Sequence, residues 1–87
     1  MDEKEQYMAL LSEIIAKQAV ILGPDIAVLK ARNVPGLVID NGKVVDIRGN
    51  AAEALPKLVN EYVELSGLIV KTALGSIFAR YPGISQV

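Results

Sequence analysis

The stretch that decides the fold is Leu37–Ile47, "LVIDNGKVVDI". Two β-branched runs flank Asn41-Gly42, a pair suited to a two-residue type I′ turn because both central positions need positive φ. The run predicts a β-hairpin. Uninterrupted pairing from that turn sets Asp40 against Lys43, Ile39 against Val44, Val38 against Val45 and Leu37 against Asp46. Alternation then places Val38, Val45 and Ile47 on one face with the Asp40–Lys43 pair, and Leu37, Ile39 and Val44 on the other with Asp46. Both faces are apolar near the middle, whereas a hairpin open to water on one side reads polar on that side. Cover on both faces is therefore expected. A lone two-stranded hairpin is marginal in water, and its edges are templates for pairing. No other segment reads as a strand. The expected completion is a second copy of the hairpin from another chain, giving a four-stranded antiparallel sheet in a homodimer.

Upstream, "MDEKEQYMALLSEIIAKQAVIL" reads as an amphipathic helix. Asp2 is a candidate N-cap, with Glu5 completing a capping box. Tyr7, Leu11, Ile14, Ile15 and Leu22, with Gln18 among them, form the stripe at steps of three and four, widened by Met8, Leu10 and Ile21. Ser12, Glu13 and Lys17 make the solvent side, and Glu13 and Lys17 are an i,i+4 pair. "GPD" (Gly23–Asp25) interrupts the helix, either as a kink or as a restart with Pro24 in the first turn. Leu22, Ile26 and Leu29 are expected to carry the stripe on to about Arg32. "NVPG" (Asn33–Gly36) then stops it.

Downstream, Asn50 and Glu53 repeat the capping signature. Pro56 sits too deep for a first-turn position, so either a separate turn precedes it or the main helix starts near it. Leu55, Val59, Tyr62, Ser66, Ile69 and Ala73 form a stripe against polar Lys57, Asn60, Glu61 and Glu64. From Gly67 to Ala79 the chain carries one charge, Lys71. A membrane span needs about 20 apolar residues, so none is expected here, and no polar face rich in Lys or Arg suits a helix lying on a bilayer.

A helix from Pro56 to Arg80 would be about 37 Å long. A compact monomer of this size is roughly 31 Å across. The apolar end would overhang, which points to an inter-chain contact. Gly67, Lys71 and Gly75 fall on one line, and glycine in a helix interior costs about 1 kcal/mol relative to Ala. Close approach of another backbone explains that expense; the competing reading is a kink at Gly67 and an incidental Gly75. The expected interface comprises Leu37, Ile39 and Val44 from the hairpin and Gly67, Ile69, Lys71, Ala73, Leu74, Gly75, Ile77 and Phe78 from the helix. "YPG" (Tyr81–Gly83) ends the helix.

Composition agrees with association. The 87 residues are 52% hydrophobic, above the roughly 45–50% usual for globular chains, and a chain this short buries only about 60–65% of its unfolded surface. Net charge is −1, from nine basic and ten acidic residues, and the basic ones are scattered, which argues against nucleic-acid binding. Cys and His are absent. Thiolate nucleophiles, imidazole bases and ordinary zinc sites are thereby excluded. The charged opening lacks a signal-peptide pattern, and a cytoplasmic location is the default expectation.

Chemistry has few footholds. Asp2, Glu3 and Glu5 belong to a helix start, Glu61 and Glu64 to a solvated face, and Asp40 and Asp46 to opposite hairpin faces. No glycine run has phosphate-loop spacing, and the serines have no His partner. Tyr62 and Tyr81 read as packing residues with wet hydroxyls. The expected fold is α+β: kinked N-terminal helix, β-hairpin, long C-terminal helix, in one domain spanning 1–87. The expected function is a non-enzymatic homo-oligomeric module, a regulatory or scaffold subunit that can also meet another protein and needs no cofactor. The alternative is a binding module enclosing an apolar small ligand between aliphatic helices. A weaker one is an enzyme site assembled from two chains at Asp46, Arg48 and Lys71.

Overall fold

Gly23 and Pro24 divide the N-terminal pattern into two helices. The computed structural model describes residues 3–67, 75, 77 and 79–81. In it α1 runs Glu3–Leu22 and α2 Pro24–Arg32. Gly23 adopts φ +96°, where a residue with a Cβ is strained, and Pro24 opens α2, where its missing N–H costs nothing. The break is thus a restart, and it shifts the apolar phase. Ile26 and Leu29, expected on the buried stripe, are 47% and 62% exposed, while Ala27 and Ala31 are buried. Asp2, the expected N-cap, lies outside the described residues. Glu13 pairs across the fold with Arg80 at 3.4 Å instead of with Lys17.

The hairpin forms where the turn chemistry places it, with β1 Leu37–Asp40 and β2 Lys43–Ile47. Asn41 (φ +53°) and Gly42 (φ +76°) supply the two positive dihedrals. Pairing begins as expected, Asp40 with Lys43 and Ile39 with Val44, but then slips: Val38 faces Asp46 and Leu37 faces Ile47. A β-bulge inserts Val45 as an extra residue. The bulge corrects the expected faces. Val44 and Ile47, three apart, are both buried, while Val45 is 49% exposed. Leu37 and Ile39 pack beside them against the core. Among the described residues the core packs against one hairpin face only; Val38, Asp40, Lys43, Val45 and Asp46 make the other.

α3 spans Ala51–Ser66. The Asn50 side chain accepts from the Ala52 N–H at 2.9 Å, satisfying one orphan donor of the first turn. Pro56 lies inside this helix and neither starts it nor follows a separate turn. The hydrogen bond it forfeits is to the Ala52 carbonyl, and Ala52 is exposed, so water can serve that oxygen. The uninterrupted helix from Pro56 to Arg80 does not form. Gly67 takes φ +60°, ψ −129°, and its N–H donates to the Val63 carbonyl at 2.8 Å, closing α3. Sixteen residues make a helix of about 24 Å, inside the molecule's 30 × 25 × 18 Å envelope. Helical backbone is present again at Gly75 and Ile77, with the Ala79 N–H bonded to the Gly75 carbonyl at 3.2 Å.

α1 is the centre of the packing, touching α2, β2 and α3. Leu10, Leu11, Ile14 and Ile15 of α1 meet Leu55, Leu58, Val59 and Tyr62 of α3 in a single buried cluster that also takes Ala27, Ala31, Val34, Val44, Ile47 and Ile77. No helix among the described residues is long and apolar enough to cross a membrane.

Candidate functional site

Three polar contacts tie distant parts of the chain together at the hairpin and the core. The Ser12 hydroxyl on α1 accepts from the Val44 N–H at 2.9 Å. Lys4 Nζ meets Asp46 Oδ1 at 2.6 Å, and the same carboxylate oxygen accepts from the Ile47 N–H at 2.9 Å. Tyr62, fully buried, donates its hydroxyl to the Ala27 carbonyl at 2.7 Å. The expected wet hydroxyl is thus a dry one, and desolvation drives its pKa well above the ordinary tyrosine value. Such a group stays protonated and serves as a structural donor.

Asp46 is the least ordinary carboxylate of the hairpin. The hydrogen bond from Lys4 lowers its pKa most, followed by the Ile47 N–H, the Lys4 charge and, weakly, Arg48. That is the signature of a held anion, and a general base needs the opposite tuning. Arg48 stands exposed nearby, and its N–H donates to the Gly36 carbonyl at 2.7 Å. Lys71, the third member of the expected two-chain site, lies outside the described residues.

The expected interface residues separate into groups. Leu37, Ile39 and Val44 come together on the inner hairpin face, where Val44 is 5% exposed. Ile77 is in the same chain's core at 3% exposure. Gly67 caps α3, so it does not share a helical line with Gly75. A Cβ added at Gly67 or at Gly75 would meet nothing within 4 Å, so neither is approached closely within the chain. Ile69, Ala73, Leu74 and Phe78, like Lys71, lie outside the described residues.

Exposed apolar surface gathers elsewhere, at the junction of α1 and α2. Val20 is 84% exposed, Leu29 62%, Ile26 47% and Ile21 40%. The sequence carried a signal for one of these: Val20 falls on the polar side of the α1 stripe, beside Lys17 and Glu13. Ile26 and Leu29 were hidden by the phase shift at Gly23.

Two features have binding character. An open groove of about 390 Å³ lies between α1, the start of α2 and the hairpin turn, walled by Ile15, Ala16, Ala19, Pro24 and Val28 with Lys43 at its rim. Glu13 also lines this groove, and it faces Arg80 and Tyr81; one of its carboxylate oxygens is buried with no hydrogen-bond partner among the described residues. Burial first, then the Glu13 carboxylate, raises the Tyr81 hydroxyl above its ordinary value. Gln18 is a third anomaly. It occupies the middle of the apolar stripe, is fully buried, and neither its amide oxygen nor its nitrogen has a hydrogen-bond partner among the described residues.

No group of three or more metal-ligating side chains is gathered among the described residues. The chain matches no protein-family model, and no curated protein or solved structure is significantly similar to it.

Proposed function

We propose that the protein acts by association, as a small homo-oligomeric module that serves as a regulatory or scaffold subunit and performs no chemistry of its own. The observation that carries this reading is the exposed apolar surface of α1 and α2, with Val20 at 84% and Leu29 at 62% exposure on an 87-residue chain. Burying such surface is worth about 25 cal/mol per Å², and contiguous apolar patches on small proteins mark contact sites. The hairpin supports the same reading, since among the described residues no turn, loop or side-chain hydrogen bond reaches the Ile39 amide or carbonyl of β1, and Val45 on its outer face is 49% exposed. Light scattering tests it. A particle of at least twice 9.3 kDa at micromolar concentration is expected, and a stable monomer overturns the reading.

A second reading has its own observation, the groove of about 390 Å³ beside the hairpin turn. Its walls are mostly apolar, with the Glu13 carboxylate and the Lys43 ammonium both in the lining, and they fit a small apolar molecule. Native mass spectrometry of freshly purified protein separates the two readings, because a ligand carrier shows added mass and an interaction module shows only multiples of the chain.

A further inference from the structure

The two edges of the hairpin end differently. On the outward edge of β2, the Val44 N–H donates to Ser12 and the Ile47 N–H donates to the Asp46 carboxylate. Helix α1 lies along that edge, fastened by Lys4 to Asp46. Ile39 of β1 pairs with Val44. Since the Val44 N–H turns away to Ser12, this is a pair whose N–H and C=O groups point away from each other. Ile39 therefore presents both groups at the outward edge of β1, and Leu37, two residues earlier, directs its carbonyl the same way. Among the turn, loop and side-chain hydrogen bonds of the described residues, none involves the Ile39 amide or carbonyl, and the Leu37 N–H makes only a 3.4 Å contact to the Val34 carbonyl. Proteins guard free edges with Lys, Pro or a bulge. The β1 run Leu37–Asp40 has neither Lys nor Pro, the bulge's extra residue is on β2, and α2, which packs against β1, supplies no side-chain acceptor to the Ile39 amide.

We propose that a second copy of this chain adds its own β1 to this edge, antiparallel, about a two-fold axis at Val38. The inference rests on the homo-oligomer reading above and adds the edge, the register and the contacts. Direction limits the choices, because only Leu37 and Ile39 face outward. Pairing about Ile39 would set Leu37 against the partner's Asn41, which is bent into the turn at φ +53°. Pairing about Leu37 would set Ile39 against the partner's Pro35, which has no N–H. Pairing about Val38 sets Leu37 against the partner's Ile39 twice. The Ile39 N–H then donates to the partner's Leu37 carbonyl, and the Leu37 N–H exchanges its long contact for the partner's Ile39 carbonyl.

Side chains agree with that register. Val38 meets its own copy on the outer face, and Leu37 meets the partner's Ile39 on the inner face. Asp40 comes opposite the partner's Gly36, which has no side chain to fill the space. Across β1 and β2, Gly36 is itself bonded to Arg48. Each outer row then runs Lys43, Asp40, the partner's Gly36, the partner's Arg48, so a carboxylate lies between two cations. An isologous interface needs such self-complementarity. A strand of unrelated sequence would have to reproduce both the valine at the axis and the acid two residues on.

The test uses the chain's lack of cysteine. Non-hydrogen-bonded antiparallel neighbours have Cα atoms about 4.5 Å apart, within the roughly 4.4–6.8 Å range that a disulfide spans. Val38→Cys is expected to form a linked dimer in mild oxidant at least tenfold faster than Val45→Cys, which shares the outer face but has two strands between it and its copy. Val38→Lys sets two ammonium groups against each other at the axis and is expected to weaken the dimer at least tenfold, with the circular dichroism of the chain unchanged. A wild-type dimer whose Val38→Cys variant links no faster than Val45→Cys, or whose Val38→Lys variant dimerises normally, overturns the edge while leaving the homo-oligomer reading intact. A wild-type monomer with equally slow linking of both cysteine variants overturns both.

Discussion

The outward edges of β1 and β2 belong to one hairpin, and their backbones differ in what has been done to them. β2 is sealed: its outward N–H groups go to Ser12 and Asp46, and α1 covers them. Among the described residues, β1 keeps an amide and a carbonyl at Ile39 with no turn, loop or side-chain partner, and a weakly held amide at Leu37. A buried donor without a partner costs free energy, whereas one in reach of water or of another strand does not. Each strand has a helix beside it, α1 at β2 and α2 at β1, but among the described residues only the outward N–H groups of β2 are given side-chain acceptors. That asymmetry is what makes a single, oriented mode of self-association possible.

The severest way to break the comparison is to remove the point where the strands join at their open end. Gly36 holds φ +90°, and a Cβ there collides with the Arg48 carbonyl. Gly36→Ala is expected to cost about 1–3 kcal/mol in backbone strain before the collision is added. At about 4–8 °C per kcal/mol for a domain this small, the thermal midpoint drops by 10 °C or more. A midpoint equal to wild type would show that the hairpin closes without this contact.

Unsealing β2 comes next. Ser12→Ala leaves the Val44 N–H without its acceptor under α1, and a loss of about 1–3 kcal/mol is expected in urea unfolding. A negligible change would mean that water already reaches that amide, so β2 would be no better sealed than β1.

Gln18 sharpens the contrast from the other direction, being an unpaired polar group that faces neither edge nor solvent. Gln18→Leu is expected to stabilise the chain by about 1–2 kcal/mol, since no hydrogen bond is lost and the desolvation penalty disappears. Destabilisation instead would reveal a partner for the amide in the folded protein.

The smallest effect is the acid dependence of the Lys4–Asp46 fastening. Its folded pKa lies below the ordinary 3.8. The contribution is therefore complete above that value and is lost as pH falls from it through the lower, folded pKa. The stability difference between wild type and Asp46→Asn should shrink over that interval; a difference independent of pH would assign the effect to something other than the ion pair. Both side chains are about half exposed, so salt screens the term further.

Much of the architecture was legible because it is encoded by neighbours in sequence. Asn41-Gly42 specifies its turn through two positive φ values, Pro24 and Asn50 begin helices, and the α1 stripe from Tyr7 to Ile15 is buried as its spacing requires. Other parts were not. The restart at Gly23 rotated Ile26 and Leu29 outward, which a continuous wheel cannot show. The extent of α3 was not legible, because Pro56 is tolerated where Ala52 is exposed, while Gly67 stops the helix despite an apolar run beyond it. Nothing local in the hairpin points to the dominant partner of Asp46, which is Lys4 in the first turn of α1.

By itself, then, the sequence determined the element types, the turn and the order helix–hairpin–helix, all of them consequences of dihedral preference and short-range periodicity. Only the tertiary structure decided which hairpin edge is closed, where the bulge falls and which apolar side chains remain outside. Those depend on Ser12 meeting Val44, Lys4 meeting Asp46 and Tyr62 meeting Ala27. Each joins residues more than thirty positions apart, and no local rule of propensity or spacing reaches that far.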